Sequence, residues 1–359
     1  MRHRYLTLSI AAIAACSPGE SRTRYEAPES FPAVASGDTL VAPVVHVSQA
    51  APRSDGSWVI LGVEEMSVLV ADFAAGTVIP HPGVTREEVP GVVSMMASGD
   101  TIYLSDYGLR RVTGWLPDGR RIDAVPVPDA TRGSYPRARD AAGQWYFEFP
   151  PRPGPDGRGV LDSLAVVRAN STLTTFDTIA RLAPPAVLEV EQDGRPRLAQ
   201  LQLAGRDLWG AMPDGTVWLG RIAQNQVFWY PPSGGKPAST RPLPDPIVTV
   251  TEMDRQIYIR RYPEAQRAAL EQAVFSAVKP PFERAFADRR GRVWLFKSAP
   301  ALDTVRTFQV ADTTGWVMSV TVPSYGVALG ISDTEILMGE EFPEGIRLLR
   351  FAIPEAARP

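Results

Sequence analysis

Short apolar runs punctuated by turn residues recur along most of this chain, and almost none is long enough for a helix. "SDGSWVILGV" (54–63), "SGDTIYLSD" (98–106), "AAGQWYFEF" (141–149), "PDGTVWLGRI" (213–222) and "RRGRVWLFKS" (289–298) share one plan: a turn signal with glycine, then a β-rich run that carries an aromatic. "SDTEILMGE" (332–340) is a sixth copy that lacks the glycine and the aromatic. Aligning the runs superposes Val59, Tyr103, Tyr146, Trp218, Trp294 and Ile336, at intervals of 44, 43, 72, 76 and 42 residues. Three intervals agree within two residues. The other two are about thirty residues longer, too little for another unit and enough for an insertion.

Each unit has the same interior. A short strand precedes the turn, as in "VVSMMAS" (92–98), "LWGAM" (208–212) and "FERAFA" (282–287). A third run follows, often with a second turn: "RRVTGWLPDGRRI" (110–122) and "RTFQVADTTGWVMSV" (306–320). Asp-Gly, a strong hairpin signal, occurs at 55–56, 118–119, 156–157, 193–194 and 214–215. Strand, turn, strand, turn at a period near 43 residues describes a four-stranded meander. Such a sheet cannot cover both of its faces, and radial stacking of copies solves that problem.

With these residues in view, the chain resembles the six-bladed β-propellers of the NHL-like kind, in particular the exported propeller proteins of bacteria. The resemblance spans roughly residues 37–355 and implies one all-β domain of six four-stranded antiparallel blades; seven blades is the alternative count. Closing the ring requires one blade shared by both chain ends, for which "DTLVAPVVHVSQ" (38–49) and "IRLLRFAIPE" (346–355) are the natural contributors. Function does not follow from this architecture, which hosts lyases, lactonases, receptors and scaffolds alike.

The second long interval contains "YPEAQRAALEQAVFSAVKPP" (262–281), expected to be a helical insertion across one end of the ring. Pro263 suits a first helical position, and Leu270, Ala273, Val274, Ala277 and Val278 recur at helical spacing. The first long interval combines a Pro/Gly loop at 150–163 with a segment at 182–205 that reads as a hairpin around Asp193-Gly194.

The amino-terminal residues differ from all this. Arg2, His3 and Arg4 precede an apolar stretch from Tyr5 to Ala15, a secretory signal in form and too short to span a bilayer. Ala14-Ala15 lead into Cys16, the chain's only cysteine. This segment resembles the lipobox of bacterial lipoproteins, which implies a signal peptide over 1–15 and a lipid-carrying Cys16. Polar residues 16–36 then form a flexible tether before the propeller at 37–355. The expected address is the bacterial cell envelope. Ser17 stands where inner-membrane lipoproteins often carry Asp, which points to the outer membrane, facing the periplasm or the exterior.

Without the signal the chain carries 35 basic and 40 acidic residues, which gives no electrostatic footprint for nucleic acid. His46 and His81 are the histidines that remain, and no metal motif, nucleophile elbow or phosphate loop accompanies them. The expected cofactor is none. His81, in "IPHPGV", reads as a solvated loop ring, and the doublets Glu64-Glu65, Glu87-Glu88 and Glu340-Glu341 read as solvated loops. Trp58, Trp145, Trp218 and Trp294 fall at repeat positions, as packing between blades requires. A site in a propeller belongs at its central channel, and the polar residues expected there are His46, Arg137, Arg139, Glu283 and Arg284. Arginines in that place suit an anionic group. The resulting reading is a lipid-anchored binding or scaffold protein with a protein or small-molecule ligand at the propeller face. The alternative is a metal-dependent lactonase or hydrolase.

Overall fold

A computed structural model describes residues 28–151, 163–192, 195–260, 262, 264–342 and 345–358; Cys16, Pro263 and the Asp156-Gly157 and Asp193-Gly194 turns lie outside the described residues. Alternating apolar residues and glycine turns produce six blades. Blade 1 consists of Gln49–Pro52, Trp58–Gly62, Ser67–Asp72 and Thr77–Pro80, and blade 2 of Val92–Ser98, Thr101–Asp106, Arg111–Trp115 and Arg121–Pro126. Blade 3 comprises Pro136–Arg139, Trp145–Phe149, Ala165–Ala169 and Phe176–Arg181; blade 4, Leu208–Ala211, Val217–Arg221, Gln226–Tyr230 and Ala238–Ser239. Blade 5 is built from Phe282–Ala287, Val293–Lys297, Val305–Asp312 and Gly315–Pro323. Within each, neighbouring strands are antiparallel and chain order is sheet order.

Blade 6 closes the ring. Its inner three strands, Val327–Ile331, Glu335–Phe342 and Gly345–Ala352, come from the carboxyl end, and its outermost strand, Val34–Ala42, from the amino end. Thr39 pairs with Leu349 and Val41 with Arg347. Ser30–Pro32 adds a fifth strand, parallel to Gly315–Pro323, on the edge of blade 5. Residues 30–36, expected in the tether, are therefore largely strand.

Apolar clusters occupy all six seams between adjacent blades. Val59 and Leu61 meet Ile102 and Leu104 between blades 1 and 2. Tyr103 packs with Trp145 and Phe147 in the next seam, and Tyr146 with Leu219 in the third. Trp218 meets Leu295, Trp294 meets Met338, and Leu337 meets Trp58 in the remaining three. Trp58, Trp145, Trp218 and Trp294 are between 0% and 5% exposed, so the repeated tryptophans are packing residues and not a ligand platform. In five blades the superposed residue faces the following blade. Ile336 faces back toward blade 5, and its neighbour Leu337 takes the equivalent place. A slip of one residue on a strand reverses the face.

The helical insertion is present, but its helical part begins earlier and ends sooner than the expected 262–281. Two helices occur in the insertion, α1 (Glu252–Arg260) and α2 (Glu264–Glu271), and residues 272–281 are not helical. Gln202 and Ser276 exchange backbone contacts: Gln202 N–H donates to the Val274 carbonyl and Ser276 N–H to the Gln202 carbonyl, both near 2.9 Å. Val250 and Lys279 donate similarly to Ala277 and Val248. These tertiary bonds consume the groups a helix would need. The hairpin in the first insertion is present, Val187–Gln192 against Arg195–Gln200.

Candidate functional site

Each inner strand starts at one end of the ring, so the links between blades and the turns between second and third strands all open on that end. The opposite end carries only connectors of two to seven residues. The three longest connectors all join strand ends there: Phe149 to Ala165 within blade 3, Arg181 to Leu208 before blade 4 and Ser239 to Phe282 before blade 5. At that end lies a cavity of about 680 Å³, the mouth, lined in part by the second and third of these connectors. It continues into a neck of about 380 Å³ lined by residues from all six inner strands, among them Ala50, Met95, Ala138, Gly210, Phe286 and Leu329. The neck is the central channel.

His46, on the link from blade 6 to blade 1, lines the mouth together with Glu283 and Arg284 at the start of blade 5. Arg137 and Arg139 from blade 3 line the neck, which Arg284 also reaches. Thus all five residues singled out from sequence adjoin one continuous space. Arg137 sits 3.4 Å from the Glu148 carboxylate, which is buried and accepts further hydrogen bonds from Arg206 (2.9 Å) and the Trp209 indole (2.8 Å). Partial desolvation and the neighbouring Arg206 charge push the half-exposed Arg137 guanidinium below its ordinary range, with Glu148 opposing the shift. Arg139 lies 4.5 Å and 4.7 Å from the ring centres of Tyr103 and Trp145, and donates to the Tyr103 hydroxyl. Those rings hold its guanidinium in place by cation–π attraction.

The mouth also contains residues the sequence reading missed. Helix α1 contributes Asp254, Ile257 and Tyr258, and the segment after α2 contributes Lys279. Thr251 caps α1: its N–H and hydroxyl donate to the Asp254 carboxylate at 2.8 and 2.7 Å. That reciprocal arrangement is a capping box, legible in "TEMD". Lys279 Nζ meets the same carboxylate at 2.5 Å and donates to the Ala299 carbonyl at 2.7 Å. Burial alone would raise the Asp254 pKa, but the bonds from Lys279 and Thr251 prevail and hold it below the usual carboxylate value. Tyr258 donates to Gln202 at 2.5 Å, tying α1 to the first insertion. Glu341, expected in a solvated loop, is another mouth residue.

His81 corrects a further expectation. It is 2% exposed, with Nδ1 2.8 Å from the Pro82 carbonyl and Nε2 unbonded. The reason is the glycine pair beneath it. Gly83 and Gly119, both at positive φ, let the loop after blade 1 lie directly against the third-to-fourth-strand turn of blade 2, where any Cβ would collide with backbone.

Among the described residues, no three histidine, cysteine, aspartate or glutamate side chains converge to hold a metal ion. No family model and no curated protein matches the chain. Among solved structures it is similar to a member of the DUF4221 family from Bacteroides vulgatus (9% identity, 89% of this chain and 97% of that one, TM-score 0.47). It is also similar to a gluconolactonase from Xanthomonas campestris (13%, 89% and 98%, 0.46) and a virginiamycin B lyase from Staphylococcus aureus (10%, 88% and 98%, 0.47).

Proposed function

We propose that this chain is a lipid-anchored, extracytoplasmic binding protein that takes its ligand in the mouth of the propeller. One observation supports this above others: every long connector is on the end that carries the cavity, while the opposite end is trimmed to tight turns. Packing explains the seams, but it does not require elaboration of one end only. Loops set on a rigid ring are the usual place for binding residues. The mouth also has the mixture expected of a ligand site, with aromatic walls from Trp209 and Tyr258 beside charged Arg206, Glu283 and Arg284. A metal-dependent hydrolase is the weaker reading, since a divalent ion needs a convergent donor set that the described residues lack.

A thermal-shift screen of the mature protein in detergent tests the site. A compound that raises the melting temperature, and ceases to do so in Glu283→Arg, supports it; compounds indifferent to that change place binding elsewhere. Stoichiometric calcium or zinc in the purified protein overturns the choice in favour of the hydrolase. The anchor is proposed at Cys16, in the outer membrane. Cys16→Ala is expected to abolish incorporation of labelled palmitate and release the protein from the membrane fraction, whereas unchanged membrane association refutes the lipid.

A further inference from the structure

Resting on the proposed lipid at Cys16, we propose that one arc of the mouth end is a second membrane contact. Exposed apolar side chains on blades 5, 6 and 1 enter the bilayer that holds the anchor, and the mouth opens at the lipid surface. The arc consists of Leu302 and Val305 at the second-to-third-strand turn of blade 5, Tyr325 on the link to blade 6, Phe342 at the end of the second strand of blade 6, Val45 on the link to blade 1, and Met66 on the second-to-third-strand turn of blade 1. Leu302, Val45 and Tyr325 are 70%, 63% and 62% exposed, so no neighbouring blade covers them. The opposite end differs: among the described residues, none of its turns exposes a large apolar side chain. Those turns read "RSDGS" (53–57), "PDGT" (213–216) and "DRRGR" (288–292). A single exposed apolar residue needs no account, but six on neighbouring loops of one end, against none in the turns of the other, mark a contact surface.

The length of the tether decides what covers this arc. Eleven residues, 17–27, separate Cys16 from the described chain. A stretch of that length reaches about 40 Å fully drawn out and about 20 Å on average as a coil. A lipid on Cys16 therefore holds the ring beside the bilayer, at an effective concentration where contacts too weak to bind alone suffice. The tether also joins the ring in the same sector. Ser30 pairs with Ser319, midway along the outer strand of blade 5, and the Ser319 N–H donates to the Glu29 carbonyl at 2.8 Å. Tyr325 follows two residues after that strand ends. From the midpoint both ends of the ring are in reach, so the tether selects the sector and the side chains select the end. Tyrosine and phenylalanine among aliphatic residues suit the boundary between headgroups and acyl chains. Charge adds nothing: the turns and links at 43–48, 63–66, 298–304 and 324–326 carry Glu64, Glu65 and Asp303 and no lysine or arginine. The attraction rests on buried apolar area.

Cys16 is the chain's only cysteine and the lipid would consume its thiol, so a cysteine introduced elsewhere takes a label alone. The mature acylated protein, in vesicles of phosphatidylcholine and phosphatidylethanolamine, is labelled with a small polar fluorophore at Thr304→Cys or at Thr313→Cys. These exposed positions flank the third strand of blade 5, the first beside Leu302 and the second at the opposite end of the ring. Bromine-bearing lipids are expected to quench the label at 304 and to leave the label at 313 bright. Leu302→Asp combined with Tyr325→Asp should lower the docked-to-free ratio about tenfold or more, since two apolar side chains no longer leave water. Both residues are exposed, so the melting temperature should not move. Added salt or anionic lipid should leave the quenching unchanged. Equal quenching at 304 and 313, or stronger quenching at 313, overturns the docking. A bright label at 304 on lipidated protein also overturns it, and leaves the arc to a protein partner. Quenching that salt abolishes assigns the contact to charged residues elsewhere and refutes the apolar arc. A chain that carries no lipid fails the palmitate experiment as well, which distinguishes loss of the anchor from loss of the docking alone.

Discussion

Tyr146 shows how one side chain joins two repeats. Its hydroxyl donates to the Asp140 carboxylate at 2.8 Å within blade 3, and lies 3.3 Å from the Gly215 carbonyl of blade 4. Burial, with the aspartate beside it, raises the phenol above its usual range, so it remains a donor at any ordinary pH. Asp288 repeats the device by accepting from the Trp294 indole six residues on. Tyr146→Phe removes a buried bond to a charged acceptor and is expected to cost about 1.5–3 kcal/mol in denaturant unfolding. His81 gives a different measurement. Burial, partly opposed by the Pro82 carbonyl and reinforced by the nearby Arg53 charge, lowers its proton affinity below the ordinary value of 6.5. The unfolded chain then binds the proton first, so stability is complete above about pH 6.5 and declines as pH falls below it. The slope is expected to approach, and not exceed, about 1.4 kcal/mol per pH unit. His81→Gln should flatten the melting temperature between pH 7 and 5; an unchanged profile would show that other groups cause the loss. The repeated tryptophans were legible because their spacing recurs. His81 was not, because its burial depends on two glycines 36 residues apart meeting back to back.

At the scale of elements, the mouth depends on how the second insertion is pinned. Lys279 and Asp254 are both nearly buried, and each is the other's ionic partner. Asp254→Ala leaves a buried ammonium without compensation, at a cost of about 3–5 kcal/mol. Because the ring stands on its own seams, the loss is expected to appear locally, as rapid proteolysis between residues 240 and 281 while the main melting transition stays put. Loss of the whole transition would mean that the insertion belongs to the core. The sign with acid follows from the lowered Asp254 value: the pair contributes fully above the ordinary carboxylate range near pH 3.9, and its contribution fades as pH falls through the lower folded value. Helical spacing misplaced this element for a physical reason. Ala273, Val274, Ala277 and Val278 fit one helix face, but residues 274–279 instead pair with the backbone at 202 and 248–250, partners distant in sequence. The capping signal at Thr251 was available, yet the run after it has a weak apolar face.

For the whole molecule, the seams act together because each blade is covered only by its neighbours, and the ring persists only if the last seam forms. The repeat was readable at this scale from five good copies. The sixth was offset by one residue because "SDTEILMGE" has neither the turn glycine nor an aromatic to fix the register, so Ile336 stood in for Leu337. Closure can be tested at the same strand. Cutting after Ile346 removes Leu348, Leu349 and Phe351, and with them the partner of Thr39, Leu40 and Ala35 on one side and of Met338, Gly339 and Ile336 on the other. Leu348 belongs to the seam with blade 1 and Phe351 to the seam with blade 5, so one cut opens both flanks of blade 6. The amino-terminal strand is left without a sheet, and the strap at Ser30–Pro32, which continues from it along blade 5, cannot restore the missing seam. Phe31→Ala, in contrast, disturbs only that strap, where the ring is partly buried against the seam between blades 5 and 6. It is expected to lower stability by about 1–3 kcal/mol with the transition still cooperative. The truncated chain should show no cooperative melting in calorimetry and should aggregate. A soluble fragment melting in one transition would mean that five blades hold their own edges, and that the pairing of the two chain ends is an accessory and not the condition for the fold.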